Sequence, residues 1–307
     1  MSQTTDNTTD LGDSPPPGSD IELRKRRRWP IIAAAGVVVV VAAAVLGWRV
    51  AGSDTKSPND TPGATLTIVT AEGNAAEEAL VEYVAKNVAP RHGIKIAFRG
   101  LSDSTTLNRA VSEGEVAGTV YQHKLWLSQV LAANPDFHEE AATPVFRWGF
   151  GIWSDKYASP ADLPQNAKVS LYSDPANEAQ GLWLLERAGL ITLKPGVDKW
   201  KATTDDIATN PKNLQFPLLD FAAQSRSLAD LDAAVGYTEY YLAANTDISK
   251  QIFAPPAPDE FAGQLTIGSK WKNSENIRKL VDTFKDPAVQ NYLLTDPTVK
   301  NILLPLQ

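Results

Sequence analysis

The stretch Thr119–Leu127 reads TVYQHKLWL. Gly118 to Tyr121 has the β-branched and aromatic character of a strand, while His123 to Ala133 carries apolar residues at helical spacing. The side-chain period changes from 2 to 3.6 within a few residues. The polar trio Gln122, His123 and Lys124 falls at the change. A strand that feeds directly into a helix is the unit of an α/β fold, so the rest of the chain is read for the same unit.

Upstream, Thr65 to Thr70 (TLTIVT) is β-branched and predicts a strand. Asn74 and Glu77 have capping-box spacing, and Ala79, Leu80, Tyr83, Val84 and Val88 then recur at helical spacing until Pro90. Ile94 to Phe98 predicts a second strand, and Leu107 to Ser112 a short helix closed by Gly114. Downstream, the aromatic run Val145 to Ser154 (VFRWGFGIWS) reads as one extended segment, and Lys168 to Tyr172 as a strand. Asp174-Pro175 opens a helix that Gly189 stops: an N-cap acid, then proline at the first helical position. Leu214 to Leu219, Ala233 to Gly236 and Leu265 to Ile267 predict further strands, and Ile277, Leu280, Val281 and Phe284 a last helical stripe. Strands alternating with helices predict largely parallel sheets.

In open α/β sheets the ligand crevice lies beyond the carboxyl ends of the strands. Gln122-His123 sits at one such end, Ser173-Asp174 with Asn177 and Gln180 at another, and Gly236-Tyr237-Thr238-Glu239 at a third. The free amides of helix N-termini there suit an anionic group such as a carboxylate.

Composition narrows the chemistry. The 307 residues include no cysteine, which excludes disulfides, thiolate metal sites, a cysteine nucleophile and a cysteine lipid anchor. A net charge of −7 argues against a nucleic-acid partner. No phosphate-binding glycine loop, dinucleotide fingerprint, zinc-protease pair or nucleophile elbow occurs, and His92, His123 and His138 lack metal-ligand spacing. The reading is of a binding protein with no cofactor, metal or catalytic residue of its own.

The first sixty residues read differently from the rest. Residues 1–28 are a polar tail, expected to be disordered, that ends in the basic block Arg24 to Arg28. Trp29 to Trp48 carries no charge over 20 residues, about the length that spans a bilayer core of roughly 30 Å. Trp29 and Trp48 fall at interfacial positions, and the basic block places the N-terminus in the cytoplasm. Residues 29–50 are therefore expected to form a transmembrane anchor, and a cleaved signal peptide is the alternative. Residues 51–63 read as a tether.

Three ordered blocks resemble the NlpA-type methionine-binding lipoproteins, solute-binding components of ABC importers. YQHKLWL (Tyr121–Leu127) is similar to that family's FQHxPYL. VSLYSDPANEAQGLWLLERAGLITLK (Val169–Lys194) is similar to its VAxPNDPTNxxRxLLLLxxxGLIxLK. NPKNLQFPLLDFAAQSRSLADLDAAV (Asn210–Val235) is similar to its NPKNLxxxELEAAQLPRSLxDVDAAV. The resemblance covers about residues 64–307. It implies a two-lobed periplasmic-binding-protein-like (type II) fold that closes on a small molecule by hinge motion at two crossovers. Lobe one would be residues 64–148 plus 246–307, and lobe two residues 149–245. It also implies methionine or another small amino-acid-like ligand, and an ABC permease with its ATPase as partners.

The same resemblance exposes departures. The family's Arg, which grips the amino-acid carboxylate, falls at Gln180, and a neutral amide cannot supply that charged fork. The family's Asn falls at Tyr237, and Glu239 lies two residues on. Trp126 stands where the family has Tyr. Arg147 is a candidate substitute charge. The expected ligand-contacting set is thus Tyr121, His123, Trp126, Arg147, Asn177, Gln180, Tyr237 and Glu239. Each also has a plain structural reading: a hydrogen-bonded histidine, a core tryptophan, a helix-start amide, or a solvated polar side chain. A membrane-anchored sensory or scaffold protein that reuses the fold is the alternative function.

Overall fold

The computed structural model describes residues 56–306. The expected polar tail and transmembrane anchor lie outside the described residues, as does the first part of the tether. Among the described residues no helix is long and apolar enough to cross a membrane. The second part of the tether packs on the domain instead of hanging free. Asn59 is buried and its Nδ2 donates to the Val116 carbonyl at 3.2 Å, while Asn276 Nδ2 donates to the carbonyls of Pro58 and Thr61. These side-chain bonds to the backbone fasten a segment whose composition alone reads as flexible.

In chain order the strands are β1 (Thr65–Ala71), β2 (Lys95–Leu101), β3 (Gly118–His123), β4 (Glu139–Trp148), β5 (Phe150–Trp153), β6 (Val169–Tyr172), β7 (Thr192–Leu193), β8 (Ile207–Thr209), β9 (Leu218–Leu219), β10 (Ala233–Tyr237), β11 (Gln251–Phe253), β12 (Ala262–Gly268) and β13 (Leu303–Leu304). They form two main sheets, ordered β13-β4-β12-β3-β1-β2 and β11-β5-β10-β6-β9, with β7 and β8 as a small separate pair. β1 is parallel to β2 and β3, and β6 is parallel to β9 and β10. The antiparallel members, β12 and β13 in one sheet and β5 in the other, make both sheets mixed.

β1 shows why its sequence is nearly all apolar or β-branched. Leu66 and Ile68 pack with Leu80, Val84 and Val88 of the segment that follows, while Val69 packs with Leu107 and Val111. A central strand covered on both faces has no solvent side to alternate with. Full burial of each such side chain contributes about 1.5–3 kcal/mol.

Three sequence expectations change. The run Val145–Ser154 is two strands, because the chain passes from the first sheet to the second at Gly149. Gly149 N donates to the Ile302 carbonyl at 2.7 Å, and its carbonyl accepts from Thr238 N at 2.8 Å. A Cβ there would collide with the Asn301 carbonyl oxygen and lie 2.6 Å from Thr238 Oγ1, so only glycine fits this crossover. The strand expected over Leu214–Leu219 shrinks to Leu218–Leu219, with an isolated bridge at Gln215. Pro217 lies between them and has no N–H to give to the ladder. The return to the first sheet does not occur at residue 246. β11 still belongs to the second sheet, so the crossover lies between Phe253 and Ala262.

Candidate functional site

The carboxyl ends of strands from both sheets converge on one cavity of about 180 Å3. β1 delivers Ala71, Asn74 and Glu77; β3 delivers Tyr121, Gln122, His123 and Trp126; β4 ends at Trp148. From the second sheet come Asn177 after β6, Phe221 after β9, and Tyr237, Glu239 and Tyr240 at the end of β10. An adjoining cavity of about 300 Å3 shares Ala71, Asn74, Glu239 and Tyr240 and continues toward Leu242 and Ile302.

His123 ends β3 in extended conformation and is the N-cap of the helix Lys124–Ala133. Its Nδ1 accepts from Trp126 N at 3.2 Å, so the ring proton sits on Nε2, which faces Asn177 Oδ1 at 3.4 Å. Burial pushes the imidazole down to about 4, and it is neutral at physiological pH.

Across the cavity, Asp174 caps the helix Pro175–Arg187. Its Oδ1 accepts from Asn177 N at 3.0 Å and from Asn177 Nδ2 at 2.8 Å. That fixes the Asn177 amide with its oxygen outward, where the Tyr237 hydroxyl lies at 2.6 Å. The same hydroxyl is 2.8 Å from Gln180 Oε1. Gln180, only 1% exposed, does not line the cavity but holds Tyr237 from behind. Tyr237 also packs edge-on to Trp148 and Phe150. Trp126 meets Phe221 in an edge-to-face contact at 6.3 Å that spans the two sheets.

Arg147 is not brought to the site. Successive strand residues face opposite ways, and Trp148 takes the cavity side. The Arg147 guanidinium pairs with Asp259 and donates to the Pro305 carbonyl. Of the eight expected residues, Tyr121, His123, Trp126, Asn177, Tyr237 and Glu239 line the cavity.

The lining residues outside the expected set are Ala71, Asn74, Glu77, Gln122, which the sequence places at the crevice without a contact role, Trp148, Phe221 and Tyr240. Glu77 is the instructive one. Asn74 Oδ1 accepts from Glu77 N at 3.5 Å, so half of the predicted capping box forms. The Glu77 side chain does not return to the Asn74 backbone. It turns inward, where its Oε1 accepts from Trp148 Nε1 at 3.1 Å and its Oε2 has no partner. Burial, then the nearby charge of Glu239, raises the Glu77 carboxyl well above its ordinary range. Burial pushes Glu239 up to about 7. Among the described residues no lysine or arginine lines the cavity.

The sequence profile of the NlpA lipoprotein family matches residues 66–303, most of the chain. The chain belongs to the NlpA lipoprotein family. Among NlpA-type relatives, the D-methionine-binding lipoprotein MetQ of Escherichia coli (strain K12) is 29% identical over 247 residues, covering 78% of this chain and 86% of that protein. A periplasmic substrate-binding protein of an ABC transporter from Coxiella burnetii superposes with a TM-score of 0.69 at 29% identity, covering 78% of this chain and all of that one. A nutrient-binding protein from Burkholderia cenocepacia, solved bound to methionine, superposes with a TM-score of 0.64 at 30% identity, covering 75% of this chain and 95% of that one. The fold is the α/β two-lobed architecture of these NlpA-type binding proteins, one sheet to each lobe.

Proposed function

We propose that this chain is the extracytoplasmic solute-binding component of an ABC importer and holds methionine or another small amino-acid-like solute between its two lobes. One observation carries the reading: a small aromatic cavity sits at the strand carboxyl ends of both lobes, in a chain whose relatives are named for binding methionine. Its volume is below the roughly 300–1,000 Å3 of drug-sized sites, which suits a small metabolite.

In this reading Tyr121, His123, Trp126, Asn177, Tyr237 and Glu239 contact the solute, and Gln180 positions Tyr237. The lobes, residues 64–148 with 262–306 and residues 149–253, hinge at Gly149 and at the Phe253–Ala262 crossover. The loaded form docks on a membrane permease driven by an ATPase. The uncharged segment Trp29–Trp48 tethers the protein beside that permease and raises its effective concentration there.

The test is native mass spectrometry of the full-length chain, gently purified from membranes, with thermal melts against amino acids and their amines. A bound small mass, or a selective rise in melting temperature, is expected. No bound mass and no stabilisation by any member of the panel would overturn solute binding.

A further inference from the structure

The cavity's own hydrogen bonds define what it lacks. Five side-chain nitrogen donors of the wall are committed to protein acceptors. Asn177 Nδ2 serves Asp174, Gln122 Nε2 serves Asn108 and Trp148 Nε1 serves Glu77. Trp126 Nε1 serves the Tyr121 hydroxyl, and His123 Nε2 faces Asn177 Oδ1. The Tyr237 proton is taken by Asn177 or Gln180. The buried wall atoms left without partners are both acceptors, Glu77 Oε2 and Gln122 Oε1. Glu77 is 1% exposed and Gln122 likewise, and both line the cavity.

Charge points the same way. Two carboxyls, Glu77 and Glu239, line the space with no cation among the described residues to balance them, and His123 is neutral. The arginine on the neighbouring strand position, Arg147, is engaged by Asp259. A solute carboxylate placed here would find no positive partner among the described residues, and an uncompensated buried charge is strongly unfavourable. A protonated amine meets the opposite situation. The orphan acceptors suit its N–H groups, the two carboxyls balance its charge, and Trp126, Trp148, Phe221 and Tyr237 line space for its alkyl part.

We propose that the site selects a small primary amine that carries no carboxylate, its ammonium donating to Glu77 Oε2 and Gln122 Oε1 beside Glu239. This rests on the solute-binding reading above and names the solute class.

Calorimetric titration of the full-length chain at pH 7.5 tests it with three probes sharing one thioether chain: L-methionine, 3-(methylthio)propan-1-amine and 3-(methylthio)propanoic acid. The amine is expected to bind at least tenfold more tightly than methionine, and the acid not at all. Glu77→Gln and Glu239→Gln are each expected to weaken the amine at least tenfold without lowering the melting temperature of the unliganded protein. Tighter binding of methionine or of the acid overturns amine selectivity and leaves solute binding intact. So does a pair of folded Gln variants that bind the amine unchanged. No binding by any probe, with no small mass in the native spectrum, overturns both readings.

Discussion

Replacing Glu239 by glutamine is expected to stabilise the unliganded protein in neutral to alkaline solution. The carboxyl is held at about 7, chiefly by burial, against an ordinary value of 4.5. Between those two values the folded state binds more protons than the unfolded one, so stability falls as pH rises. The contribution is fully present below about 4.5 and is lost as pH passes through about 7. At roughly 1.4 kcal/mol per pKa unit the limit is about 3 kcal/mol, and partial exposure reduces the expected loss to roughly 2 kcal/mol. For a domain of this size that corresponds to a fall in melting temperature on the order of 5 °C. The groups facing Glu239 are Glu77, whose carboxyl feels its charge, Tyr237 and Tyr240, both raised by burial, and the amide of Asn74. The assay is thermal or urea unfolding of wild type and Glu239→Gln from pH 5 to 8.5 without solute. Subtracting the two curves removes the contribution of Glu139, which burial pushes up to about 8. Parallel curves would refute the assignment, because the variant would then carry the same alkaline loss with no carboxyl to ionise.

Tyr237→Phe removes the hydroxyl shared by Asn177 and Gln180, leaves a buried Gln180 Oε1 without a partner, and is expected to cost about 1–3 kcal/mol in urea unfolding. Gly149→Ala forces a Cβ against the Asn301 carbonyl and Thr238, with an expected loss of roughly 2 kcal/mol or more and weaker solute binding, measured by melts and titration. Arg147→Met strips the guanidinium from Asp259 and the Pro305 carbonyl, so a loss of about 1–2 kcal/mol is expected while solute affinity stays within twofold; a large loss of affinity would place Arg147 at the cavity after all.

The fold was legible where periodicity was strong. The strand-to-helix switch at His123, the Asp174-Pro175 helix start and the apolar run of β1 each follow from local rules that the packing agrees with. Legibility failed where the structure turns on one atom or one short element. Pro217 interrupts a β-rich run by lacking one N–H. β11 has three residues, too few for a pattern, and its membership of the second sheet moves the crossover. The site followed the same division. His123, Asn177 and Tyr237 stand at junctions that any α/β reading marks. Phe221 and Tyr240 lie in helices of six residues, which show no stripe. Arg147 and Trp148 differ in strand parity: charge marks the first in the sequence, and alternation turns the second toward the cavity.

Glu77 shows why the missed residues matter most. The spacing from Asn74 predicts a carboxylate used locally, on the helix's own backbone. The structure gives that task to Asn74 alone and leaves the carboxylate buried with one oxygen unmet. Trp148 and Asn74 supply only neutral hydrogen bonds to it, which burial and the charge of Glu239 outweigh. An unliganded protein therefore keeps a proton on Glu77 above the ordinary carboxylate range and on Glu239 until pH passes about 7. A bound ammonium reverses the balance by making the ionised form favourable, so binding must release protons and affinity must rise with pH through neutrality. The alkaline instability of the empty site and its selectivity for an amine then have the same cause, and proton release on titration, read in two buffers of different ionisation enthalpy, measures it directly. Binding of the amine with no proton release would separate the two and place its charge elsewhere.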